Sequence, residues 1–251
     1  MKFHEFGTGN PTTLVLLHGF ATTWEQSFHP LIELAQKDYH VIAMAMDGFN
    51  PDEPDKHAVF VEKEAQMLAD YLLERTGGSV DIVYGASMGG MVLSELLLDE
   101  RITVGTAIAD GYTVMQYPTW LPRSVNLVLA KISARLMYWV VHRCKPLLAR
   151  LFRLKSVDEL NTMMYTGMSY ETMLNSEYGL MDYRYKHHAF ARASSHIWNG
   201  EGEKGVNSTV RKMQAAGIPI RSKTFPGLGH GGLLMQPERL LAEISQAHAA
   251  Q

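Results

Sequence analysis

A single serine between glycines is the clearest chemical signal in this sequence. Ser87 lies within Gly85-Ala86-Ser87-Met88-Gly89, after a run of β-branched and aliphatic residues and before a leucine-rich stretch with helical spacing. A strand that turns at once into a helix needs residues with little or no side chain, and such a turn holds its central residue strained and exposed. The pattern predicts a nucleophilic serine at the carboxyl edge of a buried sheet, where open α/β sheets bind ligands.

The same junction supplies a group that can stabilise negative charge. A helix that begins at Met88 leaves its first backbone N–H groups without intrahelical acceptors, and the helix dipole favours an anion at this end. The backbone N–H of Met88 is therefore predicted to donate to an oxyanion. A chance Gly-x-Ser-x-Gly match is the alternative, and the strand-to-helix context argues against it.

A serine hydroxyl needs a base within hydrogen-bonding distance, and histidine is the usual base. Eleven histidines are present, and His230 stands out because it lies in the glycine-rich stretch 227–232, after the last predicted strand and before a helix that begins with proline. This position predicts that it reaches the same sheet edge as the serine. A solvated loop histidine is the alternative for His230 taken alone, and His187 and His188 are the next candidates for the base.

The composition indicates one soluble globular chain. Its 251 residues are 46% hydrophobic and carry a formal net charge of −3, so a packed core is expected and no basic field favours nucleic acid. The single cysteine, Cys144, excludes an intramolecular disulfide, and residues 1–10 lack the apolar core of a signal peptide. We expect a cytoplasmic protein. Neither a clustered metal-ligand set nor a dinucleotide-binding glycine motif is recognisable, so no metal or organic cofactor is expected.

Short apolar runs alternate with helical patterns along the chain, which is typical of a mostly parallel sheet with crossover helices. The predicted strands are 13–17, 40–46, 80–84, 103–109, 194–198 and 220–225. The predicted helices of this regular part are 24–37, 58–75, 88–98, 208–216 and 237–247. The fold class predicted from this rhythm is α/β, with helices flanking the sheet.

One interval is too long for an ordinary crossover. About 80 residues separate the strands 103–109 and 194–198. The interval contains its own helical patterns at 125–141, 146–154, 157–168 and 170–178. We predict one α/β core formed by residues 1–110 and 194–251, with a helical cap, or lid, inserted at 111–193.

The first half of the predicted cap has a distinctive charge. No aspartate or glutamate occurs between Gly111 and Val157, and the basic residues there are Arg123, Lys131, Arg135, Arg143, Lys145, Arg150, Arg153 and Lys155. Mixed with many apolar residues, this charge is typical of helices that lie on anionic membrane surfaces, while Lys131 and Arg135 argue against a membrane span. We expect weak association of the cap with anionic membranes. A cap whose apolar face packs on the core and whose basic face is solvated is the alternative.

These motifs resemble those of the α/β-hydrolase fold superfamily, and in particular its serine esterases and lipases with a helical lid. Leu17-His18-Gly19-Phe20 is similar to the oxyanion loop of that superfamily, Gly85–Gly89 to its nucleophile elbow and Gly229-His230 to its histidine loop. The resemblance covers nearly the whole chain and implies an α/β-hydrolase fold. It also implies that the backbone N–H of Phe20 is the second oxyanion donor. The His18 side chain is expected to shape the loop.

Three carboxylates compete for the place beside His230. The Gly-x-x-Asp that is usual in the superfamily reads here as Gly200-Glu201-Gly202-Glu203, so the resemblance implies that Glu203 is the acid that orients the imidazole. Glu201 lies in the same loop, and Asp110 directly follows the predicted strand 103–109. Both remain alternatives to Glu203.

Together these residues predict a serine ester hydrolase, either a carboxylesterase or a small lipase. Its substrate is expected to be a small uncharged ester with an apolar acyl part, cleaved through an acyl-enzyme. A thioesterase or a C–C bond hydrolase could use the same triad, because the fold alone does not select the reaction. A hydrolase-fold protein that binds a ligand without turnover is the alternative from another class.

Overall fold

A computed structural model of the chain describes residues 1–112, 120–151 and 156–250. The described part contains seven strands: β1 Lys2–Phe6, β2 Thr12–Leu17, β3 Tyr39–Ala45, β4 Ser79–Ala86, β5 Thr103–Asp110, β6 Ser194–Gly200 and β7 Ile220–Phe225. They form one sheet in the order β1-β3-β2-β4-β5-β6-β7. All neighbours are parallel except β1, which pairs antiparallel with β3. The predicted mostly parallel sheet is confirmed.

Helices connect and cover the strands. They are α1 Trp24–Ala35, α2 Val61–Thr76, α3 Met88–Leu96, α4 Arg123–Arg143, α5 Lys145–Leu151, α6 Val157–Met163, α7 Tyr170–Asp182, α8 Lys204–Ala215 and α9 Pro237–Ala249, with a 3-10 helix at His187–Arg192. Local sequence explains several ends. Thr23 and Gln26 form a reciprocal capping box at the start of α1, and Pro237 stands in the first turn of α9.

The core lies on both faces of the sheet because successive strand residues point to opposite sides. In β2, Leu14 and Leu16 belong to the cluster that contains Phe28 of α1. Val15 and Leu17 belong to the opposite cluster, which is built on α2, α3 and α8. All four β2 residues are fully buried, as expected for a central parallel strand covered on both faces.

One strand, β1 at the edge of the sheet, was missed in the sequence analysis. β1 was not predicted because its sequence, KFHEF, has polar residues at positions 2, 4 and 5, which breaks the alternation typical of a half-buried strand. Two of its side chains stack on residues of neighbouring helices. Phe3 stacks on Tyr71 with ring centroids 3.9 Å apart, and His4 stacks on Trp24. The segment is a strand because it pairs antiparallel with β3, and these ring contacts with α1 and α2 add to that pairing.

The long interval between β5 and β6 contains α4, α5, α6, α7 and the 3-10 helix. α4 packs along α7, and α5 packs on α6. The helix predicted at 146–154 corresponds to α5, while residues 152–155, and residues 113–119 of the predicted cap, lie outside the described residues. Within the described residues one helix, α4, is long and apolar enough to cross a membrane, as judged by length and composition alone.

Candidate active site

Ser87 occupies the sharp turn between β4 and α3. Its backbone has φ 52° and ψ −111°, a conformation that residues with a side chain rarely adopt, and its N–H donates to the Asp110 carbonyl oxygen at 2.7 Å. A side chain at Gly85 would overlap the backbone of Gly89, and one at Gly89 would overlap the backbone of Leu17. The two glycines therefore allow the close packing that the turn requires.

The His230 side chain reaches Ser87 from the loop that follows β7. Its Nε2 lies 3.0 Å from Ser87 Oγ, and its Nδ1 lies 2.6 Å from Glu203 Oε1. With the proton on Nδ1, the ring donates to Glu203 and accepts from the serine hydroxyl, which is the arrangement that makes an imidazole a base. Glu203 is itself anchored, since its Oε2 accepts the backbone N–H of Gly200 at 2.7 Å.

The electrostatic setting of His230 follows from these contacts. The hydrogen bond with Glu203 raises the pKa of His230 above its ordinary value of 6.5, and the charges of Glu203 and Asp110 act in the same direction. Partial burial opposes them. The ring is half-exposed whereas the Glu203 side chain is buried beneath it. A proton taken by His230 is thus stabilised from the protein side, while the ring stays accessible to a substrate.

The other two carboxylates are engaged elsewhere. Glu201 Oε2 accepts the backbone N–H of Gly227 at 2.9 Å, on the exposed side of the loop. Asp110 Oδ2 accepts from the Tyr84 hydroxyl at 2.7 Å, and burial, together with the Glu203 charge, raises the pKa of Asp110 to about 6. Of the three acids considered from the sequence, Glu203 is the one hydrogen-bonded to the imidazole.

The loop after β2 lies directly against the serine. A Cβ placed on Gly19 would be 3.3 Å from Ser87 Cβ. The buried His18 ring accepts the Met46 backbone N–H at Nε2, which leaves Nδ1 to donate to the Gly19 carbonyl oxygen at 2.9 Å. Burial lowers the pKa of His18 to about 4, so the ring is neutral at neutral pH and acts as a fixed spacer in the loop.

The contacts of Gly19 also orient the next peptide group. In a trans peptide the carbonyl and the following N–H point in opposite directions. Because the Gly19 oxygen faces His18 and the Thr22 hydroxyl, the Phe20 N–H faces the other way. Met88, the first residue of α3, has an N–H at the helix terminus, where intrahelical acceptors are lacking. Met88 directly follows Ser87 in the chain, and Phe20 follows Gly19, which lies against Ser87, so these two N–H groups are the candidate donors of an oxyanion site.

The alternative base residues lie in another part of the fold. His187 and His188 open the 3-10 helix that precedes β6. The His187 ring packs on Tyr112 and Tyr185. His230 is the histidine that contacts the serine.

Two cavities meet at Ser87, and both are also lined by His230 and Phe20. The smaller, of about 240 Å³, lies between α1, α6 and the His230 loop. The larger, of about 400 Å³, lies between α2, α3 and α7. The walls are mostly apolar, and among the described residues that line them none is arginine or lysine. A bound molecule could therefore extend in two directions from the serine hydroxyl.

Sequence reasoning missed Glu64, a buried acid in the wall of the larger cavity. Burial raises the pKa of Glu64 to about 8, and the nearby Asp47 charge adds to the shift. A signal was available, because Glu64 shares the buried face of α2 with Val61, Ala65 and Leu68. A carboxylate on the apolar face of an amphipathic helix is unusual enough to mark a special site.

A mostly parallel sheet with a serine at a strained strand-to-helix turn, and a histidine and an acid on the loops after later strands, defines an α/β hydrolase. The family model of the alpha/beta hydrolase family matches residues 14–243. The chain belongs to this family. The recognition made from the three loop motifs is confirmed, and membership supports hydrolase activity.

Solved structures with the same fold cover almost the whole chain. An alpha/beta hydrolase family protein from Desulfitobacterium hafniense has 22% identity and a TM-score of 0.74, with 98% of this chain and 99% of that chain covered. A thermophilic esterase from Thermogutta terrifontis has 18% identity and a TM-score of 0.74, with 98% and 91% covered. MenH from S. aureus has 20% identity and a TM-score of 0.71, with 98% and 96% covered. At these identities the likeness concerns the fold.

Proposed function

We propose that this protein is a serine ester hydrolase, of the carboxylesterase or small-lipase type, that acts on uncharged esters with an apolar acyl part. The observation that carries the proposal is the continuous hydrogen-bonded chain from Ser87 Oγ through His230 to Glu203, located where two apolar cavities meet. A serine with such a partner is activated for attack, whereas a ligand-binding site has no need of the ordered chain.

The reaction follows the geometry. Ser87 Oγ attacks the ester carbonyl carbon while His230 Nε2 takes the hydroxyl proton, and the negative oxygen formed is stabilised by the N–H groups of Phe20 and Met88. When the C–O bond to the alcohol breaks, His230 returns the proton to the leaving oxygen and Ser87 carries the acyl group. Water then attacks the acyl-enzyme with His230 again as the base, the bond between Ser87 Oγ and the acyl carbon breaks, and His230 returns the proton to the serine oxygen. Glu203 accepts from Nδ1–H and so holds the imidazole in the Nδ1–H tautomer.

The cavity walls support the substrate class. Asp110 lines the smaller cavity and Glu64 the larger one, and the described walls offer no cation to pair with an anionic substrate. An uncharged ester avoids desolvating a charge against apolar walls. The two cavities divide the substrate at the carbonyl carbon, so one holds the acyl chain and the other the alcohol.

The test is a series of p-nitrophenyl esters of increasing acyl length. The wild-type protein is expected to hydrolyse them, and Ser87→Ala and His230→Ala are expected to lose about a thousandfold or more in kcat. His187→Ala is the matched control and should retain activity. Preference for matched thioesters by more than about tenfold would favour a thioesterase. Tight binding without turnover would favour the ligand-binding alternative.

A further inference from the structure

α4 has an apolar face that the described part of the fold leaves uncovered. Large apolar side chains that are between 38% and 59% exposed recur at spacings of three and four residues, at Val125, Val128, Leu129, Ile132, Leu136 and Trp139. Only 22% of the most apolar window of this helix is buried, so it is not a core helix. Monomeric soluble proteins rarely leave a continuous apolar surface of this kind without a partner. We call the surface formed by these six residues the α4 outer face.

The opposite side of α4 is buried against the rest of the protein. Asn126, Ala130, Ala134 and Val141 are buried, and α4 packs along α7 through this side. Ser133 donates to Glu177 of α7 at 2.7 Å. The helix is therefore fixed in orientation, and the α4 outer face points away from the protein. Lys131 and Arg135 in the middle of the helix argue against a membrane-spanning segment.

Basic side chains border the α4 outer face. By helical spacing, Lys131 and Arg135 lie on one flank of the apolar stripe and Arg143 lies at its carboxyl end. All three are exposed or largely exposed, and no ion pair with a carboxylate is seen for them in the described part of the chain. The sequence from 111 to 156 contains no aspartate or glutamate. The apolar stripe with a basic border matches a lipid surface that carries negative headgroups.

We propose that the α4 outer face docks onto membrane surfaces rich in anionic lipid. Neither cavity described above contains a residue of α4. The exposed cations that border the face, with no acidic residue between 111 and 156, favour an anionic lipid surface as its partner. Pairing with a second copy would bring the cations of both copies together without acidic side chains to offset them.

The docking surface is joined to the candidate active site through packing. Val141 of α4, Ala149 of α5 and Leu160 of α6 form one buried cluster, and Leu160 also lines the smaller cavity beside Ser87. Binding through α4 would hold that cavity wall near the lipid layer, where apolar esters concentrate. The docking itself does not depend on catalysis and is tested without it.

The experiment is co-sedimentation of the full chain with vesicles of phosphatidylcholine alone and of phosphatidylcholine mixed with phosphatidylglycerol in equal parts. We expect binding to the mixed vesicles, weaker binding to the neutral ones, and release as salt rises from about 0.1 M to about 1 M. Lys131→Glu/Arg135→Glu should weaken binding roughly tenfold or more, and Ile132→Ser/Leu136→Ser/Trp139→Ser should do the same.

Matched controls separate this surface from general charge or hydrophobicity. Arg211→Glu/Lys212→Glu reverses two exposed cations on α8, and Leu73→Ser removes an exposed apolar side chain on α2; both should bind as wild type. Thermal unfolding checks that each variant folds. The proposal is overturned by absent binding, by equal binding to neutral vesicles, by variants that bind as wild type, or by a dimer in solution that the α4 variants dissociate.

Discussion

The Glu203 carboxylate contacts His230 through Oε1, which lies 2.6 Å from Nδ1, and its other oxygen accepts the Gly200 N–H. Both oxygens are therefore fixed, and the acid cannot rotate away from the imidazole without breaking a backbone contact. The extra methylene of glutamate, relative to the aspartate usual at this position, is accommodated within the loop after β6. This relationship makes the choice among the three acids experimentally sharp.

The first prediction concerns that choice. Glu203→Gln should fold normally and lower kcat by up to about 10⁴, because the amide does not stabilise the imidazolium or enforce its tautomer. Glu201→Gln should be close to wild type, since Glu201 contacts a loop N–H on the exposed side. Steady-state kinetics on one p-nitrophenyl ester compares them. A large loss in Asp110→Asn with little loss in Glu203→Gln would mean that the acid lies after β5.

The second prediction concerns pH. The base must be neutral to accept the serine proton, and Glu203 raises the pKa of His230, so kcat/KM should fall as pH drops through a value above 6.5. In Glu203→Gln the main cause of the raised pKa of His230 is removed. The fall of the residual kcat/KM on the acid side should therefore occur at a lower pH than in the wild type. An unchanged limb in that variant would show that the titrating group is not His230.

The third prediction concerns Glu64 and stability. Burial raises the pKa of Glu64 in the folded protein to about 8, above the 4.5 of an exposed glutamate, so its contribution to folding is fully present below pH 4.5 and is lost as pH rises through about 8. Glu64→Gln removes this ionisation. At pH 9 its free energy of unfolding should exceed that of the wild type by on the order of 4 kcal/mol, and at pH 5 by less than about 1 kcal/mol.

Urea unfolding at the two pH values measures this difference, and Glu62→Gln is the matched control on the exposed side of the same helix turn. The control should change stability equally at both pH values. If the effect of Glu64→Gln is also equal at both pH values, the pKa of Glu64 is not raised in the folded protein.

The fourth prediction concerns the two cavities. Leu180→Trp narrows the larger one and Leu234→Trp the smaller one. One variant should lose activity mainly on esters with long acyl chains, and the other mainly on esters with bulky alcohols. Rates are measured on acetates of increasing alcohol size and on methyl esters of increasing acyl length. Parallel losses in both series would mean that the cavities do not divide the substrate at Ser87.

The fold was largely predictable because its signals are local. The runs that became β4 and β5 are apolar at successive positions, and the glycines at 85 and 89 are required by backbone overlap that any side chain would cause. β1 was missed because its strand state depends on pairing with β3 and on stacking with Tyr71 and Trp24, which are distant in sequence. Local pattern cannot reveal such pairing.

The candidate site was predictable to a different extent. Ser87 and His230 lie in glycine-rich turns that the sequence pattern predicts. The choice of Glu203 over Asp110 depends on which carboxylate contacts the His230 ring, and this is decided by the tertiary structure. The larger cavity arises only when α2, α3 and α7 come together, whereas the burial of Glu64 had a partial signal in the apolar face of α2. The division of the site into two cavities depends on tertiary packing and has no signal in the sequence.

The central claim, that Ser87 is the nucleophile, is tested most directly by reaction with a fluorophosphonate, followed by intact mass measurement and peptide mapping. The wild-type protein is predicted to gain one adduct on the peptide that contains Ser87, His230→Ala to react far more slowly, and Ser87→Ala not to react. An adduct on another serine, or ester hydrolysis that persists in Ser87→Ala, would contradict the account.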